Sequence, residues 1–169
     1  KIQIHVGGIY QDKEASLQRF INRFSLMDDN IRKRLVIEND DRLFTITDCL
    51  QISDSTGIPV LLDIFHHRIN STSDTIYEAL KLVQKTWKAQ TDGVQMVDYS
   101  SQKIDGSPRA HAESIDVDDF QRFLDGTKPI DFDVMLEIKD KERSAIKAVK
   151  VASQDSRFHQ QLDKEFGIL

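Results

Sequence analysis

The feature that most restricts the fold is a series of short runs rich in valine and isoleucine, at residues 2–6, 34–37, 58–64, 93–97 and 132–138. Their apolar residues are continuous rather than alternating, the pattern of parallel strands buried on both faces. Helical patterns lie between them. Residues 14–27 place Leu17, Phe20, Ile21, Phe24 and Leu26 at helical spacing behind Asp12, a capping residue. Residues 45–56 open at Thr45 or Thr47 and stop at Gly57, just before Pro59. Residues 73–87, opening at Ser71 or Ser73, carry Ile76, Leu80, Leu82, Val83 and Trp87. Residues 117–124 and 141–151 continue the series, and 155–166 add a terminal helix. Strands alternating with helices predict βαβ units and one parallel α/β sheet.

Five such units fill about 150 residues, so eight would need roughly 250, the usual size of a (β/α)₈ barrel. The chain therefore reads as five eighths of a TIM barrel, within one α/β domain spanning residues 1–169. An open, doubly wound sheet of five strands accounts for the periodicity equally well. Gly7-Gly8 after the first run is too short for a Gly-x-Gly-x-x-Gly or Gly-x-x-x-x-Gly-Lys loop, so nucleotide-binding versions of that sheet lose support. Residues 100–112 form the one long polar loop.

What closes each apolar run carries the chemistry. The runs deliver His5, Glu38, Asp63 with His66, Asp98 and Glu137 in turn. In parallel α/β proteins the C-terminal ends of the strands share one face, where barrel enzymes keep their active sites. Crowded carboxylates resist joint ionisation, and divalent cations remove that conflict. Imidazole and carboxylate without thiolate point to Mn²⁺ or Mg²⁺. The single cysteine, Cys49, excludes an internal disulfide and a multi-cysteine zinc site, and the expected compartment is cytoplasmic. No apolar run nears the roughly 20 residues that span a bilayer. A net charge of −5 argues mildly against a nucleic-acid partner. Bound cations would cancel part of it.

Several residues have plainer readings. His67, following His66 in a segment read as extended, should point away from the ligands. His111 in the polar loop is a surface histidine or a ligand. His159, Trp87 and Cys49 read as surface or packing residues. Lys13, Lys139, Lys141 and Arg143 are solvated charges or phosphate contacts.

Taken in order, the segments Ile4-His5-Val6-Gly7-Gly8, Leu35-Val36-Ile37-Glu38-Asn39-Asp40-Asp41, Gly57-Ile58-Pro59-Val60-Leu61-Leu62-Asp63-Ile64-Phe65-His66-His67, Asp98-Tyr99-Ser100-Ser101-Gln102 and Asp133-Val134-Met135-Leu136-Glu137-Ile138-Lys139 resemble the UV damage endonucleases. The likeness is collinear from Lys1 to about Val151. It implies the C-terminal part of a (β/α)₈ barrel related to endonuclease IV, lacking the first three β/α units and carrying a cluster of two or three ions, commonly Mn²⁺. Carried over by position, His5 binds one ion and Glu38 bridges two. Asp63, Asp98 and Glu137 complete the ligands of the second ion, and His66 and His111 serve a third. Two positions depart from the family: many members have histidine where Asp98 stands, and some carry a lysine at Met96.

The implied activity is metal-dependent hydrolysis of a phosphodiester 5′ to UV photoproducts in double-stranded DNA. Glu38 and Lys139 are the expected catalytic residues, Lys139 or Lys141 steadying the phosphate. A chain of this extent alone is expected to be inactive and to self-associate through two exposed sheet edges, so that a rigid monomer on gel filtration would count against that reading. The ligand set by itself also suits a sugar isomerase or epimerase of the xylose isomerase-like barrels. A non-catalytic α/β module is the third reading.

Overall fold

The computed structural model describes residues 1–71 and 74–159. Five strands, β1 (Ile2–Ile4), β2 (Leu35–Glu38), β3 (Val60–Asp63), β4 (Met96–Tyr99) and β5 (Asp133–Leu136), pair in parallel in the strict order β1-β2-β3-β4-β5. That order decides between the two architectures. A doubly wound sheet reverses direction at a switch point, whereas this one never does. Right-handed crossovers that always step the same way put the connecting helices on one side and leave the other as a lumen.

The sheet is also curled. Gln3 on β1 and Glu137 just beyond β5 lie four strands apart, about 19 Å along a flat sheet. Their side chains nevertheless approach to 3.3 Å (Gln3 Nε2 to Glu137 Oε1). The chain thus forms a partial TIM barrel.

The outward faces of the strands bury Ile37, Leu62, Val97 and Tyr99 against the helical layer. Helix α1 (Lys13–Ser25) is capped by Asp12, whose side chain accepts the Ala15 N–H, as the sequence predicts. A short α2 (Asp29–Arg32) follows, which the apolar pattern did not signal because none of its residues is buried. Helix α3 (Ile46–Thr56) contributes Ile46, Cys49 and Ile52 to the core and ends at Gly57, whose φ of 73° is the left-handed geometry that suits glycine. Helix α6 (Val117–Gly126) and helix α7 (Glu142–Ala152) also fall where expected. Trp87 is core: its indole N–H donates to the Val60 carbonyl at 2.6 Å.

Three expectations are corrected. The third strand stops at Asp63, and α4 (Ile64–Ile69) begins at once, so His66 and His67 lie on a helix and not in an extended segment. Fourth-strand pairing runs over Met96–Tyr99 rather than 93–97, since Gly93 turns at a φ of 81° and Val94 is exposed. Helix α5 (Ile76–Gln84) is capped by Thr75, whose hydroxyl accepts the Glu78 N–H while Glu78 accepts the Thr75 N–H. Of the two expected caps, Ser71 lies four residues too early and Ser73 is outside the described residues. The terminal helix expected over 155–166 falls mostly outside them too, and 155–159 are turn and irregular backbone.

Candidate metal centre

Side chains alternate across a strand, so each strand sends every second residue into the lumen. Asp63 lies opposite Asp98, and Asp98 opposite Met135, so the two aspartates share one level of the sheet. One oxygen from each of Asp63, Asp98 and Glu137 falls within 4.8 Å of the other two. This is a spacing at which a single cation touches all three. Glu38 lies near enough to Asp98 for its charge to raise that carboxyl, and it pairs with His5, whose Nε2 lies 2.8 Å from Glu38 Oε1.

Local folding sets the aim of His66. Asp63 caps α4, its Oδ1 accepting the His66 N–H at 2.8 Å. The imidazole Nδ1 sits 3.0 Å from the Asn39 carbonyl and 3.1 Å from Asp63 Oδ2. Both neighbours are acceptors, so the neutral tautomer with its proton on Nδ1 is the one that fits, and it turns the Nε2 lone pair a ligand needs away from them. Asn39 in turn clamps the Asp63 backbone, accepting its N–H at 3.0 Å and donating to its carbonyl at 3.1 Å.

His111 is carried in by a hairpin-like bridge between Gln102 and His111, and its ring meets that of His66 edge-on at 6.3 Å. The ring of His5 lies 5.9 Å from that of His66. Three imidazoles and four carboxylates thus gather at the mouth of the curled sheet. Lys139 does not join them; its ammonium lies 4.0 Å from Glu113 and is exposed. His67 turns away as expected, but through helix geometry: it is buried, with Nε2 3.0 Å from the Asp74 carbonyl. Cys49 is buried, and burial pushes its thiol well above the usual range. Lys13 is committed to Asp48 at 2.7 Å.

The electrostatics show what the cluster lacks. Burial, followed by the charges of Glu38, Glu137 and Asp63, pushes Asp98 up to about 8. Burial also raises Asp63 to about 6. His5 is raised by its hydrogen bond to Glu38. Two buried oxygens, Glu38 Oε2 and Asp98 Oδ1, have no hydrogen-bond partner among the described residues. Unpartnered anionic oxygens inside a carboxylate cluster fit a hard divalent cation. The residues present therefore suit one.

A pH dependence follows for the metal-free protein. Asp98 and Asp63 hold their protons more tightly when folded than at the unfolded value near 3.9. Their contribution to stability is therefore fully present below about pH 4 and is lost as pH rises through 6 and 8. The raised His5 acts in the same direction. Chelator-treated protein should melt at a lower temperature at pH 8 than at pH 5, and Asp98→Asn should flatten that slope. An unchanged slope in the variant would contradict the assignment.

Two residues at this site were not singled out by sequence. Gln3, whose Nε2 lies 2.5 Å from Asp98 Oδ2, was visible only as the inward neighbour of His5 on β1. Asn39 stood within a matching segment, but nothing in the sequence showed which backbone it would clamp.

A curled parallel sheet with a carboxylate cluster at its C-terminal mouth, Glu38, Asp63 and Asp98 buried and Glu137 exposed, defines a β/α-barrel protein with a site able to hold a metal ion. Residues 1–162 match the family described as UV-endonuclease UvdE, and the chain belongs to that family. It is 40% identical over 150 residues to the UV DNA damage endonuclease of Clostridium perfringens (strain 13 / Type A), covering 88% of this chain and 36% of that protein. The UV DNA damage endonuclease of Bacillus mycoides (strain KBAB4) is 34% identical over 150 residues, covering 88% of this chain and 47% of the relative. Among solved structures, the crystal structure of SacUVDE superposes with a TM-score of 0.86 at 47% identity, covering 94% of this chain and 53% of the other. The chain thus spans about a third to a half of the length of these relatives. Membership in this family speaks against the sugar isomerase reading.

Proposed function

We propose that this chain, as one α/β domain, supplies the last five β/α units and most of the metal centre of a UV damage endonuclease. The complete protein would hydrolyse a phosphodiester 5′ to UV photoproducts in double-stranded DNA. The observation that carries this reading is the pair of unpartnered buried oxygens, Glu38 Oε2 and Asp98 Oδ1, within a carboxylate cluster of a UvdE-family chain.

A divalent cation, Mn²⁺ in this reading, supplies Lewis-acid stabilisation of charge on a phosphoryl oxygen and favours ionisation of water. Asp63, Asp98 and Glu137 would hold one ion, and His5 a second. Glu38, 2.8 Å from His5 and near enough to Asp98 to raise its carboxyl, would bridge the two. His66 and His111 would serve a third. Lys139, exposed and 4.0 Å from Glu113, would steady the scissile phosphate. The bound cations would offset the charge of −5 that otherwise repels DNA.

Damage recognition would rest on β/α units outside this chain. By itself the chain would self-associate through the outer edges of β1 and β5, each of which pairs with one neighbour only among the described residues. No helix among the described residues is long and apolar enough to cross a membrane. A reducing, cytoplasmic setting suits the buried free thiol of Cys49.

The test uses full-length protein with supercoiled plasmid, irradiated or not, in Mn²⁺ or in chelator. Nicked circles should appear only from irradiated plasmid with metal. Equal nicking of intact plasmid, or nicking undiminished by chelator, would reject the proposal.

A further inference from the structure

Gln3 occupies a position that neither the carried-over ligand set nor the family match assigns. Its carboxamide nitrogen stands between two of the triad carboxylates, 2.5 Å from Asp98 Oδ2 and 3.3 Å from Glu137 Oε1. Both neighbours are acceptors, which sets the amide with its NH₂ toward them; the flipped form would face its oxygen against two carboxylates.

We infer that Gln3 is a positioning residue for the metal centre, choosing which oxygen Asp98 presents to the ion. This rests on the metal-centre reading above. Because Oδ2 of Asp98 is taken by the amide, the oxygen left over is Oδ1, the buried atom without a partner. The weaker contact to Glu137 restrains a side chain that starts one residue past the end of β5.

The choice of residue has a chemical reason. An amide donates two hydrogens and carries no charge, so it holds two anions without neutralising them. A lysine in the same place would compete with the cation, and a glutamate would add to the repulsion. Partners that orient metal ligands typically contribute about 10–100-fold in metal affinity. Gln3 also ties β1 to β4 and β5 across the lumen, so a purely structural brace is the competing role.

The experiment separates the two roles by titrating Mn²⁺ into full-length protein, with free Mn²⁺ read by electron paramagnetic resonance. Melting temperatures in chelator are measured in parallel. Gln3→Met, which keeps length and deletes both donors, should bind Mn²⁺ about 10–100-fold more weakly, with little change in metal-free melting temperature. Gln3→Lys should bind more weakly still, yet melt higher without metal, because its charge relieves the carboxylate repulsion. If wild type binds Mn²⁺ and Gln3→Met binds it equally well, the inference is overturned and the metal centre stands. The inference also fails if both variants lose metal-free stability in step with affinity, the signature of a brace. Absence of binding in wild type would instead remove the metal-centre reading, and this inference with it.

Discussion

Replacing Glu38 by glutamine is expected to lower nicking of irradiated DNA by about a thousandfold, while the metal-free protein melts at the same temperature or higher. Glu38 is buried, pairs with His5 at 2.8 Å and stands beside the Asp98 carboxyl, and its Oε2 has no hydrogen-bond partner among the described residues. Glutamine has the same shape, so the sheet keeps its packing. What disappears is a charge at the point where two parts of the cluster meet, and an amide hydrogen then faces any bound cation. Losing one preorganised charge-stabilising contact costs about 10²–10³ in rate, and the proposed role of Glu38 toward two ions places the effect at the upper end. Removing an anion from a repelling group explains the unchanged or higher melting point. Steady-state nicking and thermal melting in chelator are the measurements. A rate loss under tenfold would sink the bridging role.

Arg157→Leu should cost about 3 kcal/mol of folding stability near neutral pH, where breaking a buried ion pair typically costs roughly 3–5. The guanidinium donates to Asp155 through Nε at 3.0 Å and Nη2 at 2.8 Å. It also satisfies the carbonyls of Ile130 at 2.6 Å and Leu124 at 2.7 Å. Its planar group lies over Phe132, 5.2 Å from the ring centroid. One side chain therefore ties the end of α6 to the entry of β5, the strand that leads to Glu137. Leucine would leave the Asp155 carboxylate and two carbonyls without their main donor. Lysine would not rescue it, since a single ammonium cannot reproduce the planar fork. The Arg157 guanidinium holds Asp155 down to about 2, below its unfolded value near 3.9. The stabilisation is thus present above about pH 4 and is lost as pH falls toward 2. Denaturant unfolding at pH 7 and pH 2 checks both parts; a loss below about 1 kcal/mol at pH 7 would refute the assignment.

Much of the fold was legible because burial on both faces leaves unbroken apolar runs, and Asp12, Thr45 and Gly57 mark helix ends by local chemistry. The start of α4 was not. Ile64-Phe65 extends the apolar run of β3 without a break, and only the capping bond from Asp63 shows that the backbone has changed conformation. The fourth strand slipped by a few residues because Val94 looks like strand but is exposed after the turn at Gly93. Barrel and open sheet could not be told apart by periodicity, since strand order is a long-range property. At the site, the ligand types were readable from their place after each run. Gln3 was not, because its contacts depend on curvature that brings β1 over to β5.

Asp63 ends a strand, begins a helix and faces the cluster at once. Replacing it by alanine would withdraw a carboxylate from the triad and also uncap α4, leaving the His66 ring held by the Asn39 carbonyl alone of its two Nδ1 partners. Two prospective ligands thus depend on one codon. Asparagine at this position would separate the two, keeping the cap of α4 while taking the charge from the triad.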